Sequence, residues 1–146
     1  MHMPKKTFCI LLVDDDPDDR YLLQTAFEES ETNCRLDYVS DGDEIFSYLD
    51  KQIQPETSTE HLPNLILLDL NMPKKNGWQV LNELKQSPLF KHIPVVILTT
   101  SKSPEHVRKS YSLGASSFIS KPSSFSNLVE VTRILGKYWF DVVTFV

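Results

Sequence analysis

Apolar residues in this chain fall into short, separated runs. Phe8-Cys9-Ile10-Leu11-Leu12-Val13, Leu65-Ile66-Leu67-Leu68 and Pro94-Val95-Val96-Ile97-Leu98 are continuous rather than alternating, as expected of strands buried on both faces of a parallel sheet. Strands are predicted at about 7 to 13, 34 to 39, 65 to 70, 95 to 99 and 117 to 120. The stretches between them are helical. Tyr21, Leu22, Ala26 and Phe27 give the first helix an apolar face, and Val80, Leu81 and Leu84 do so for the third. Leu128, Val131, Ile134, Leu135 and Tyr138 form a core-facing stripe on the fifth, with Ser124 as its N-cap. Regular alternation of strand and helix predicts an α/β protein, a (βα)5 unit whose parallel sheet is covered on both sides.

Open α/β sheets bind ligands beyond the carboxyl ends of their strands, so the residue ending each run is where chemistry is sought. Asp69 ends the third run, ahead of Leu70-Asn71-Met72-Pro73 and Gly77, and is a candidate nucleophile or metal ligand. Asp14-Asp15-Asp16 end the first run, ahead of Pro17. Asp16 suits a helix cap, with Pro17 at the first helical position and Asp18 and Asp19 complementing the dipole. Asp14 and Asp15 lie too early for that. If the first and third strands are neighbours, these two acids meet Asp69. Carboxylates crowded into one site repel each other unless a cation joins them, and hard oxygen donors suit a divalent ion such as Mg²⁺. The fourth run delivers Thr99-Thr100-Ser101 and the fifth Lys121-Pro122. Alone, such residues read as a turn hydroxyl and a solvated lysine. Recurring at successive strand ends, they complete an inventory for binding a phosphoryl group.

Val13-Asp14-Asp15-Asp16-Pro17, Asp69-Leu70-Asn71-Met72-Pro73 to Gly77, Ile97-Leu98-Thr99-Thr100-Ser101, and Gly114-Ala115 through Phe118 to Lys121-Pro122 follow one another in a family order. Over nearly its whole length the chain resembles the receiver domain of bacterial two-component response regulators. The resemblance implies a single flavodoxin-like domain, a doubly wound sheet of strand order 2-1-3-4-5 with the acid rim at its switch point. It implies that Asp69 accepts a phosphoryl group from a sensor histidine kinase. Asp15 would bind Mg²⁺ directly, Asp14 through water and Asn71 through its backbone carbonyl, while Thr99 and Lys121 contact the phosphoryl oxygens. In the family, the threonine and the aromatic ring at the Phe118 position move together, remodelling the face of helix four, strand five and helix five. Phe118 stands where Tyr is commoner. Such a domain is not an enzyme beyond catalysing its own phosphorylation and dephosphorylation. Whether it acts on a target or relays its phosphoryl group to a histidine phosphotransfer protein is open at this level. An aspartate-nucleophile, Mg²⁺-dependent phosphatase of the haloacid dehalogenase type needs a second carboxylate where this chain has Asn71.

At 146 residues the chain suits one domain with a real core, expected as a receiver over 1–138 and an apolar tail over 139–146 with no output domain. A net charge of −5 argues against nonspecific nucleic-acid binding. Lys5-Lys6 precede an apolar run too short for a signal peptide or a membrane span, so a cytoplasmic location is expected, with Cys9 and Cys34 as reduced core residues. His2, His61, His92 and His106 show no ligand pattern and are expected at the surface. Gln52 to Pro63 is polar and aperiodic, an extended loop on the side opposite the rim. Beyond the fifth helix, Trp139, Phe140, Val142, Val143, Phe145 and Val146 are broken only by Asp141 and Thr144. Such a tail either folds back on its own domain or marks an interface. The long loop and aromatic ending resemble receivers associated with phytochrome-type kinases. The partners expected are therefore such a kinase and a second copy, in a homodimer through the tail and the helix-four to helix-five face.

Overall fold

The computed structural model describes residues 8–53, 62–72 and 75–143. Strand and helix alternate as β1 (Phe8–Val13), α1 (Pro17–Glu29), β2 (Cys34–Val39), α2 (Glu44–Gln52), β3 (Leu65–Leu68), α3 (Gly77–Gln86), β4 (Val95–Thr99), α4 (Pro104–Ser112), β5 (Ser117–Ser120) and α5 (Phe125–Gly136), after which Lys137–Val142 continue as a widened π-type turn. All strand pairs are parallel and the sheet order is β2-β1-β3-β4-β5. This is the expected flavodoxin-like arrangement.

Alternate residues of each central strand point to opposite faces, so two cores share one sheet. Leu11, Val13, Ile66, Leu68, Val95 and Ile97 face α2 and α3, packing with Ile45, Leu49, Val80, Leu81 and Leu84. Ile10, Leu12, Leu65, Leu67, Val96 and Leu98 face α1 and α5, packing with Leu23, Ala26, Phe27, Leu128 and Leu135. The helix starts are locally encoded. Asp16 caps α1 by accepting from the Asp18 N–H, Asn76 and Gln79 form a capping box on α3, and Ser124 caps α5.

Several expectations are corrected. β3 ends at Leu68, not at position 70, which leaves Asp69 as the first residue of the loop. On α1, Tyr21 and Leu22 are exposed and Leu23 is buried instead. Leu23 lies three and four residues before Ala26 and Phe27, which centres the apolar stripe on it. On α5, Ile134 is exposed at 58% and Thr132 is fully buried, while Tyr138 lies beyond the end of the helix, exposed at 52%. The Thr132 hydroxyl lies 3.1 Å from the Ala26 carbonyl and 2.7 Å from that of Val129, which makes a polar residue suitable for the contact with α1. A Cβ on Gly136 would come within 2.4 Å of the Thr32 side chain, so glycine permits that close approach.

Cys9 is buried and Cys34 half-buried, both as free thiols, and burial pushes Cys34 up to about 11 and Cys9 upward as well. His92 is exposed, but His106 is half-buried and packed, and His2 and His61 lie outside the described residues. Positions 54–61 of the long loop and 144–146 of the tail also lie outside them. Within the described part of the tail, Trp139 and Phe140 pack against the second core, and Phe140 stacks on Phe8 with ring centroids 4.4 Å apart. Among the described residues no helix is long and apolar enough to cross a membrane.

Candidate functional site

The register of β1 on β3 pairs Val13 with Leu68, so Asp14 and Asp69 emerge side by side at the carboxyl rim. The Asp69 N–H donates to the Val13 carbonyl at 3.0 Å, extending the pairing one step past the strands. Both side chains are buried, Asp14 at 3% exposure and Asp69 at 9%. The chain then doubles back into α3, with the Gly77 N–H donating to the Leu70 carbonyl at 3.1 Å. A Cβ on Gly77 would lie 2.4 Å from the Asp69 carbonyl oxygen and 2.7 Å from Leu70 Cα. Only glycine fits so close to the backbone that carries the central carboxylate.

Lys121 enters from β5, its N–H donating to the Thr99 carbonyl at 2.6 Å. Its Nζ stands 3.1 Å from Asp14 Oδ2, 2.8 Å from Asp19 Oδ2 and 3.6 Å from Asp69 Oδ2. Asp14, Asp19 and Asp69 each offer a carboxylate oxygen within 4.8 Å of one another. The sequence placed Asp14 and Asp15 beside Asp69. The structure brings in Asp14 but leaves Asp15 exposed outside this group, and Asp19 takes the third place. From the sequence Asp19 is expected only to complement the helix dipole. Asp19 lies in the first turn of α1, and what brings it into the group is Lys121, which comes from the far end of the chain. Arg20, which no sequence pattern singles out, donates to the Asp14 carbonyl at 2.8 Å and packs over the Tyr38 ring.

Burial is the largest influence on Asp69 and raises its pKa, against the opposing effects of the Lys121 charge, the Asn71 N–H and the Thr99 hydroxyl. Asp14 is raised for the same reason, with the Asp16 N–H and Lys121 opposing. Burial alone would lower the Lys121 ammonium, but its hydrogen bond to Asp19 and the charges of Asp69 and Asp14 outweigh it, and its pKa is raised. Lys121 is therefore a fixed positive charge. Asn71 is exposed and its N–H donates to Asp69 Oδ1 at 3.3 Å. It supplies no second acid.

Thr99 ends β4 with no exposed surface, and its hydroxyl has no hydrogen-bond partner within normal distance. Leaving a buried hydroxyl unpaired costs about 1–3 kcal/mol, so its persistence calls for an explanation. Phe118 pairs with Ile97 in the β4–β5 register and packs half-buried against the first core. The rim therefore combines clustered hard oxygen donors, a fixed ammonium and an unsatisfied hydroxyl. That donor set fits a divalent cation next to an oxyanion.

A doubly wound sheet carrying this acid, hydroxyl and lysine set at its switch point defines a signalling receiver. The Response regulator receiver domain family matches residues 10–133, and the chain belongs to that family, a signalling module of two-component systems. Among individual proteins, it is 39% identical over 135 residues to Response regulator Rcp1 of Synechocystis sp. (strain ATCC 27184 / PCC 6803 / Kazusa), covering 92% of this chain and 90% of that one. Its structure is similar to that of the phosphorylated cyanobacterial phytochrome response regulator RcpA, with a TM-score of 0.83 and 36% identity over 96% of this chain and 99% of the other. It is likewise similar to the Mn²⁺-bound form of Rcp1, with a TM-score of 0.80 and 36% identity over 95% and 99%.

Proposed function

We propose that Asp69 is the phosphoacceptor of this response regulator, and that the phosphoryl group comes from the phosphohistidine of a sensor histidine kinase. The observation that carries this reading is one buried carboxylate at the rim, reached by the Lys121 ammonium at 3.6 Å and influenced by the otherwise unpartnered Thr99 hydroxyl. In the transfer, an Asp69 oxygen attacks phosphorus in line as the P–N bond of the donor breaks, leaving an acyl phosphate on Asp69 and a neutral imidazole on the kinase. Lys121 offsets negative charge on the phosphoryl oxygens, and the Thr99 hydroxyl gains a hydrogen-bond acceptor there. Water later attacks the same phosphorus and restores the carboxylate. The domain thus catalyses only its own phosphorylation and dephosphorylation.

The cation we assign is Mg²⁺, taken by Asp14 and Asp69, which lie together with Asp19, and by the exposed Asp15 and the Asn71 carbonyl, as the family resemblance implies. When bound, it would neutralise charge on the phosphoryl oxygens. The signal is a shift of Thr99 and Phe118 that alters the α4–β5–α5 face. Likeness to the phytochrome response regulator RcpA supports a phytochrome-type kinase as the donor, and membership of the receiver family is consistent with their meeting in the cytoplasm. Exposed Ile134, Tyr138 and Val142 support a homodimer.

Intact mass after incubation with acetyl phosphate and Mg²⁺ tests the assignment. One phosphoryl gain is expected, absent in Asp69→Asn and absent under EDTA. Full gain in the variant, or under EDTA, would sink it.

A further inference from the structure

Helix α4 is held down differently from the others. α3 buries Val80, Leu81 and Leu84, whereas the one buried residue of α4 is Ser110. With so little apolar burial, polar contacts have to fix its position. The Trp78 indole N–H on α3 donates to Ser110 Oγ at 3.2 Å, and that hydroxyl donates to the His106 carbonyl at 2.8 Å. The His106 ring stands edge-on to Trp78 with centroids 4.9 Å apart, and the Lys109 ammonium lies 4.2 Å above the indole. From there the contacts run back toward the rim. His106 Nδ1 and Ser101 Oγ share a hydrogen bond of 2.6 Å, and Ser101 Oγ also accepts from the Ser103 N–H at 3.2 Å. The Ser101 carbonyl accepts from the Ser120 hydroxyl, next to Lys121, at 2.9 Å.

The segment 100–103 directly follows Thr99, so the residue with the unpaired buried hydroxyl is joined by a short covalent path to this network. If a phosphoryl oxygen on Asp69 gave that hydroxyl a partner, Thr99 and the segment after it would move, straining the Ser101–His106 bond. We infer that Trp78 and His106 are positioning residues: the Trp78–Ser110 and His106–Ser101 hydrogen bonds form a latch that holds α4 and segment 100–103 at rest, and phosphorylation must open it. The coupling to phosphorylation rests on Asp69 being the phosphoacceptor, while the resting latch does not.

Trp78→Phe keeps the aromatic bulk and removes the N–H donor. His106→Ala removes the Ser101 bond, and His106→Asn returns an amide close to the position of Nδ1. Losing one net hydrogen bond corresponds to about a fivefold change in an opening equilibrium. In the unphosphorylated full chain, hydrogen exchange of the α4 amides should therefore quicken about fivefold in Trp78→Phe and His106→Ala, with β1 and β3 unchanged. With Mg²⁺ present, the beryllofluoride concentration that half-saturates Asp69 should fall about fivefold in both variants, since less work is spent opening the latch. His106→Asn should restore both values. Unchanged α4 exchange, or no restoration by His106→Asn, overturns the latch. Quickened exchange without a lower beryllofluoride requirement overturns its coupling to the switch. If the unaltered chain takes up no beryllofluoride, the phosphoacceptor reading fails, and the exchange result alone decides the latch.

Discussion

Asp14 and Asp69 are held in a place that disfavours their charge. Both carboxyls are raised above the ordinary range by burial, so between the ordinary pKa near 4 and the folded value, the native state holds protons the unfolded chain has released. Their stabilising contribution is therefore present at low pH and lost as pH rises through the folded values. The Lys121 ion pair opposes this cost, but its contact with Asp69 is the longest of its three, and Asp14 and Asp19 would still pair it without Asp69. Asp69→Asn should then stabilise the metal-free protein at neutral pH and raise its Tm. Thermal melts of both proteins between pH 4 and 8 check this. The gain should shrink toward pH 4, and a variant melting below the parent at pH 7.5 in EDTA contradicts the account. A site that buries its acids at a cost to their charge is also one that a divalent cation relieves.

At the scale of elements, Gly77 at the start of α3 packs directly against the backbone of Asp69 and Leu70. In Gly77→Ala the new methyl would meet the Asp69 carbonyl at 2.4 Å, and backbone cannot rotate away as a side chain can. We expect a loss of about 2 kcal/mol or more in urea unfolding, together with slower phosphorylation because Asp69 is displaced. A loss under about 0.5 kcal/mol would show the turn to be looser than described. The same element explains what the sequence displayed. Continuous apolar runs announced the strands because both faces are buried, and the strand ends then supplied Asp14, Asp69, Thr99 and Lys121. Less visible were positions where a polar residue is buried through a tertiary partner. Thr132 replaces Ile134 against α1 because the Ala26 carbonyl of α1 lies within reach of its hydroxyl, and Ser110 anchors α4 because Trp78 finds it. Asp19 joins the acid group because Lys121, from a distant strand, lies opposite it. Those partners are far away in sequence, so no local period encodes them.

For the whole molecule, the apolar carboxyl end divides between two destinations. Trp139 and Phe140 turn inward, with Phe140 stacked on Phe8 and Trp139 against the second core. Ile134, Tyr138 and Val142, spaced four residues apart, remain exposed, as does Tyr111 on α4. The inward pair does what a tail folded back on its domain would do, while the outward stripe is what a second copy would cover. The two roles make different demands on a variant. Ending the chain at Lys137 removes Phe140 from Phe8, so it should lower the melting temperature whatever the oligomeric state. Tyr138→Glu places a charge in the centre of the outward stripe, beside a side chain already half in water, so it should leave the fold intact and break only self-association. Light scattering at tens of micromolar should give a dimer for the full chain and a monomer for Tyr138→Glu, with matching melting temperatures. Because Ile134 of the stripe belongs to α5, part of the face that Thr99 and Phe118 are proposed to alter, beryllofluoride should favour the dimer. A full chain that scatters as a monomer with and without beryllofluoride would mean that the stripe is not a self-association surface.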